Sequence, residues 1–352
     1  MEQDMNATRT SASLALALAL TACASKKTSP TPTDQAGPLG QGLHELAMQS
    51  GDGLARRYDV YVPAAAVGQP APMVLMLHGG GGGAENARTS SLMTRTADAN
   101  GFVAVFPQGL SGPRARARRP LATWHSSPEC CGAALKAGVD DVAYLREVVA
   151  AASARAQVDP KRVYAVGHSN GGAMSLRLAC EAADVFAAVA AVGAPGTDWS
   201  GCTPTRPVPV LAVHGAKDRC APLEGGQCGG CFERVFATLL DREVPERSWP
   251  CASVRDALGP WRERAGAQGA PTTEQLGGGA SCEVWAGEGG AEVRLCVDPE
   301  LGHAWPSGGS LPMCARRPDG RACKAWLAEV GPRSDIFDNG LLWSFLSRHA
   351  LP

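Results

Sequence analysis

The run Arg162 to Gly172, R-V-Y-A-V-G-H-S-N-G-G, constrains the fold of this chain more than any other stretch. Arg162 to Gly167 is short, apolar and rich in β-formers, so it reads as a buried strand. Gly167-His168-Ser169-Asn170-Gly171 follows, and Met174 and Leu178 then mark a helical run with small residues between them. Strand, sharp turn and helix form the setting that presents a serine as a nucleophile. Such a turn strains the backbone at Ser169, so the residues two positions away must lack bulk, and Gly167 and Gly171 do. The amide of Asn170, at the helix start, would face a developing oxyanion. The same letters also describe a glycine-rich βα turn with an ordinary serine. The rest of the chain has to decide.

Met73 to Leu77 is a continuous apolar run, as expected of a strand buried on both faces of a parallel sheet. His78 and five consecutive glycines, Gly79 to Gly83, come next. Backbone this bare lets amides approach a ligand closely, and Gly79 and Gly80 are candidates for the second oxyanion donor. A merely flexible βα loop is the alternative. Arg56 to Val62 and Phe102 to Phe106 read as strands, and Ala87 to Ala99 as a helix. From Asp140 a further helix carries Val142, Leu145 and Val149 at helical spacing. Phe186 to Val192 and Val208 to Val213 are the next strands, and Ile336 to Arg348 the final helix. The alternation predicts an α/β fold: a mostly parallel central sheet, helices on both faces, right-handed crossovers.

The strand Val208 to Val213 runs into His214-Gly215-Ala216-Lys217-Asp218. A carboxylate on the turn after a buried strand, downstream of the serine, is where an orienting acid belongs, so Asp218 is the candidate. Glu181 to Asp184, Asp256 and Asp298 are rivals, Asp298 the serious one. His303, in Leu301-Gly302-His303-Ala304-Trp305-Pro306, looks placed in a turn rather than packed. The order Ser169, Asp218, His303 is that of the α/β-hydrolases, which a chance surface histidine does not explain.

The chain has thirteen cysteines. The first, Cys23, follows a short Leu/Ala run too brief to span a bilayer but suited to a signal peptide. Leu20-Thr21-Ala22-Cys23 resembles the lipobox of bacterial lipoproteins, with an ordinary cleaved signal as the alternative. This assigns residues 1–22 to a signal peptide, Cys23 to lipidation and residues 23–45 to a flexible Ser/Thr/Pro-rich tether. Residues 46–352 form the catalytic domain, and the protein is exported to the cell envelope or secreted. Twelve remaining cysteines in an oxidising compartment imply disulfides. Cys180, late in the helix after Ser169, and Cys202, just before the next strand, are expected to pair. Cys282 and Cys296 should face each other on two antiparallel strands, Glu283 to Trp285 and Ala291 to Leu295. The adjacent Cys130 and Cys131 should each find a separate partner in the Cys220 to Cys251 segment, since neighbours rarely bond without strain. Cys228-x-x-Cys231 lacks a second pair at zinc spacing, so it is not read as a metal site.

As a set these residues resemble the exported α/β-hydrolases that include feruloyl and acetylxylan esterases and short poly(3-hydroxybutyrate) depolymerases. The matching pieces are R-Y-D-V-Y-V-P, L-H-G-G-G-G, F-P-Q-G-L, C-C-G before G-V-D-D-V, and G-H-S-N-G-G-A-M. R-P-V-P-V-L-A-V-H-G with Asp218, E-G-G, G-H-A-W-P and a closing S-R-H complete them. The resemblance runs from about Arg57 to the C-terminus. It implies Ser169 as nucleophile, Asp218 as orienting acid, His303 as base, and no metal or cofactor. Cysteine-rich insertions near 227–249 and 308–335 depart from the pattern and border the acid and base loops, so substrate preference transfers least.

Three functions are weighed. The leading one is an exported serine ester hydrolase acting on feruloyl or acetyl esters of polysaccharide fragments or similar small esters, with hydroxybutyrate oligomers as the alternative substrate. A peptidase on the same fold and a non-catalytic surface-binding lipoprotein are the others, the latter disfavoured by an intact Ser-Asp-His set. A net charge of −1 draws no nucleic acid. The basic cluster Arg114, Arg116, Arg118 and Arg119 reads as a solvated loop, with an acidic polymer or surface as the alternative. The expected partners are the ester substrate and a membrane reached through Cys23, with the domain itself a monomer.

Overall fold

The computed structural model describes residues 37–112, 121–267, 269–306, 314 and 316–352. The signal-peptide stretch, Cys23 and the Arg114–Arg119 cluster lie outside the described residues. The strands are β1 (Gly42–Gln49), β2 (Ala55–Val62), β3 (Ala71–Leu77), β4 (Val103–Pro107), β5 (Leu110–Ser111), β6 (Ala122–Thr123) and β7 (Val158–His168). They continue as β8 (Ala188–Val192), β9 (Val210–Gly215), β10 (Gly226–Gly229), β11 (Ser248–Cys251), β12 (Thr272–Gly277), β13 (Ala280–Ala286) and β14 (Glu292–Asp298). Ten of them form one sheet in the order β1-β2-β4-β3-β7-β8-β9-β14-β13-β12. The stretch from β4 to β14 is parallel throughout. Antiparallel pairs close both edges.

The continuous apolar runs sit where both faces are covered. Met73, Leu75 and Leu77 of β3 join the core beneath α4 (Asp141–Ala156), which follows the short α3 (Gly132–Ala137), and α5 (Asn170–Glu181). Val74 and Met76, one residue out of phase, join the opposite core with Phe102, Leu342 and Phe345. A period of two thus divides one strand between two layers of helices. The helix expected over Ala87 to Ala99 is two, α1 (Ala84–Ser91) and α2 (Met93–Asn100), broken where Leu92 takes a φ of 56°. A helix cannot run through a left-handed residue.

Strand β1 begins inside the stretch read as tether, and its eight residues pair with β2. The preceding Leu39 is buried, and its N–H donates to the Arg155 carbonyl at the end of α4 (2.8 Å). The alternation in Gly42–Gln49 is polar enough to pass for linker, because an edge strand needs only one covered face.

The structure pairs Cys180 with Cys202 and Cys282 with Cys296, the latter two being directly opposed residues of β13 and β14. The expectation for Cys130 and Cys131 is overturned: they bond each other. The insertion's own cysteines close as Cys220–Cys231 and Cys228–Cys251, which leaves none of them to reach the 130–131 pair. The C-x-x-C pair is thereby divided between two bridges. Cys314–Cys323 staples the second insertion.

Candidate active site

Strand β7 lies at the middle of the parallel sheet, and its last residue, His168, leads directly into Ser169 and α5. Ser169 adopts φ 55° and ψ −121°, a conformation that costs a non-glycine residue roughly 1–3 kcal/mol. Packing holds it there. A Cβ on Gly167 would run into the Gly171 carbonyl, and one on Gly171 into the carbonyl of Leu77 on neighbouring β3. The turn closes only with glycine at both positions, while the Ser169 amide donates to Val192 O across to β8 (2.8 Å).

The structure brings the three candidate residues together. His303 Nδ1 donates to Asp218 Oδ2 (2.8 Å), so Nε2 is left to accept from Ser169 Oγ (2.9 Å). Asp218 sits on the turn after β9, buried, with its other oxygen accepting from the amides of Cys220 (2.9 Å) and Ala221 (2.8 Å). Burial opposes its charge, yet His303, His214 and the Ala221 amide outweigh burial and hold the carboxyl below the usual range. Asp298, the rival acid, is at the end of β14, and the His303 ring bonds to Asp218 instead. Its Oδ1 accepts from Glu300 N (2.8 Å) and Leu301 N (3.1 Å), shaping the turn that carries His303. The His303 amide donates to Val330 O (2.8 Å), which ties that turn to the second insertion. Asp218, Cys220 and His303 cluster closely enough to suggest metal ligands. The Cys220 sulfur is spent in its bridge to Cys231, so the donor set a metal needs is incomplete.

Gly79 and Gly80 arrive beside the serine from the end of β3. A Cβ on Gly79 would touch the Ser169 Cβ at 3.4 Å, and one on Gly80 the Asn170 Cβ at 3.6 Å. His78 fixes this loop: its Nδ1 donates to Gly79 O (2.9 Å) and its Nε2 accepts from Gly109 N (3.0 Å). Burial pushes His78 down to about 4, which keeps the ring neutral and both bonds intact. With the Gly79 carbonyl held, the N–H of the same planar peptide, that of Gly80, must point the opposite way. Asn170 contributes beyond its amide. Its side chain accepts from Trp124 N (2.8 Å) and donates to Trp124 O (3.0 Å) and Ser126 Oγ (2.8 Å).

Three supporting histidines escaped sequence reasoning. Besides His78, half-buried His168 packs its ring on that of His303 (4.9 Å), and desolvation of the ring drives it down to about 3, so it adds no competing charge. His214 donates to Ala221 O (2.7 Å) behind Asp218. Each lies at or within one residue of the end of an apolar strand, and that position is the signal the sequence carries.

Comparison with known proteins places the chain among esterases. A family model described as "Esterase PHB depolymerase" matches residues 56–196. NocK of Nocardia uniformis subsp. tsuyamanensis, named as an esterase, is 32% identical over 74% of this chain and 73% of its own length. Feruloyl esterase B of Piromyces equi is 30% identical over 71% of this chain, but the match spans only 42% of that protein. Among solved structures, an acetyl xylan esterase from Aspergillus awamori superposes with a TM-score of 0.51 at 13% identity, over 75% of this chain and 94% of that one. At that identity the likeness speaks for the α/β-hydrolase fold alone.

Proposed function

We propose, from the premise that this chain belongs to the PHB-depolymerase-type esterase family of carboxylic ester hydrolases, that Ser169 attacks ester carbonyls and forms an acyl-enzyme. The observation that carries this is the relay Ser169–His303–Asp218, at 2.9 and 2.8 Å, mounted on a strained turn. His303 Nε2 takes the serine proton as Oγ attacks, and Asp218 stabilises the imidazolium and fixes its tautomer. The amides of Asn170 and of Gly79 or Gly80 hold the oxyanion; removing one such donor costs about a hundredfold or more in rate. His303 then gives its proton to the leaving alcohol, and water attacks the acyl-enzyme by the same path in reverse.

The substrates we infer are feruloyl and acetyl esters of polysaccharide fragments or similar small esters. What supports the acyl class is the likeness to a feruloyl esterase. The family description favours hydroxybutyrate oligomers as the second reading. Export is part of the proposal: six disulfides among the described residues suit an oxidising compartment. Among the described residues no helix is long and apolar enough to cross a membrane, and attachment is assigned to a lipid on Cys23. A panel of methyl ferulate, acetylated xylo-oligosaccharide and hydroxybutyrate trimer, assayed by product release, tests the substrate assignment. The first two should turn over faster. Trimer cleavage with neither of the others hydrolysed would replace the leading reading with the second.

A further inference from the structure

The helix Cys231–Leu240 of the first insertion starts beside the catalytic relay and carries an apolar stripe away from it. Its first residue is bonded to Cys220, whose own amide donates to Asp218 Oδ1 (2.9 Å). The next residue, half-buried Phe232, sets its ring edge-on to that of His303 (6.3 Å) and beside Trp326 (5.6 Å). Phe236 and Leu240 follow at intervals of four, so all three lie along one side of the helix. Phe236 is 54% exposed and Leu240 53% exposed. Eight residues of helix extend the stripe about 12 Å from the histidine. The charges flanking it are paired, Arg234 with Glu329 (2.8 Å) and Glu246 (2.9 Å), and Glu233 with Arg247 (2.6 Å). A hydrocarbon track, fixed at its start by a disulfide, begins beside His303.

We propose that Phe232, Phe236 and Leu240 form a subsite for the alcohol part of the substrate, and that this part is extended and largely hydrocarbon. The inference rests on the esterase reading above. His303 Nε2 must reach the leaving oxygen to protonate it, so the alcohol lies against the histidine, while the acyl oxygen points to the glycine loop. The stripe starts on the histidine side and runs outward. It therefore meets what is attached to the leaving oxygen. One sugar ring or one methyl group would leave most of the roughly 12 Å of track uncovered, whereas an alkyl chain covers it, so within the esterase reading the subsite selects small alkyl esters over esters whose alcohol is a sugar.

The test compares two ester series on wild-type protein and on Phe236→Ser/Leu240→Ser: acetates of ethanol to octanol, and ethyl esters of acetate to octanoate. Both positions are more than half exposed, so the double variant keeps its core. Half-burial of a methylene is worth about twofold, so wild-type kcat/KM should rise roughly tenfold or more from ethyl to octyl acetate. In the double variant that ratio should fall below about threefold, with the acyl-length ratio unmoved. A flat alcohol series in an active wild type, an unchanged ratio in the variant, or a loss confined to the acyl series overturns the subsite alone. A wild-type dimer that the substitutions render monomeric, with the alcohol ratio unchanged, gives the stripe to a second copy and also overturns it. Failure of the wild type on every ester overturns the esterase reading and the subsite with it.

Discussion

Replacing Asp218 by Asn changes one atom's chemistry, and the structure dictates where that atom goes. Oδ1 accepts two backbone N–H groups, from Cys220 and Ala221. An amide NH2 turned toward them would oppose donor to donor, so the Asn carbonyl must occupy that side. The NH2 then takes the place of Oδ2, 2.8 Å from His303 Nδ1. Facing a donor, the imidazole moves its proton to Nε2 and loses the lone pair that accepts from Ser169. A histidine in the wrong tautomer lowers kcat about 10⁴-fold in such a relay, about 5.5 kcal/mol of barrier. The turn keeps its two amide bonds, so the thermal midpoint should move little. Asp298→Asn is the control: its Oδ1 serves only Glu300 and Leu301 amides, and kcat should stay within about threefold of wild type. Initial rates on a soluble acetate ester, with circular dichroism melts, measure both. If Asp218→Asn retains more than a tenth of wild-type kcat, or Asp298→Asn is the inactive variant, the acid is misassigned.

Three other perturbations have defined outcomes. Asp141→Ala removes the buried partner of Arg56 (2.9 Å), leaving it only Asp52 at 3.4 Å, and the acceptor of His125 N (2.8 Å), and should cost about 3–5 kcal/mol by urea unfolding; under 1 kcal/mol would mean the pair is not the clamp between β2 and α4. Glu292 is half-buried, which opposes its charge, yet His349, Arg294 and Arg348 bring its carboxyl down to about 2. A depressed folded-state value means its stabilisation is present above the unfolded value of 4.5 and is lost as pH falls toward 2; Glu292→Gln should flatten the melting temperature over that window, and an unchanged acid limb would refute the linkage. Radiolabelled palmitate should enter the wild-type chain and not Cys23→Ser, and labelling of both would remove the anchor assignment.

The parallel sheet and the relay were legible because they follow strict local rules. Buried parallel strands such as Met73 to Leu77 must be apolar without alternation, and the serine turn must have Gly167 and Gly171. The order Ser169, Asp218, His303 added what spacing alone lacks. Other features were hidden because they depend on partners distant in sequence. Strand β1 looks like linker until β2 pairs with it, and Thr272–Gly277 shows no strand pattern because it is an exposed edge. The Cys130–Cys131 bond could not be read, since pairing depends on which other cysteines are already committed. The roles of His78, His168 and His214 required knowing that three strand ends converge at one point.

Acylation of Ser169 Oγ is the step that separates a working esterase from any other use of this site. Wild-type protein mixed with 4-nitrophenyl acetate and quenched in acid should gain the mass of one acetyl group. Proteolysis should place it on the peptide containing Ser169, and the release of nitrophenol should show a burst equal to the enzyme present. Ser169→Ala should give neither burst nor adduct, with an unchanged circular dichroism spectrum. An acetyl group recovered on another residue, or a full burst from Ser169→Ala, would contradict the account.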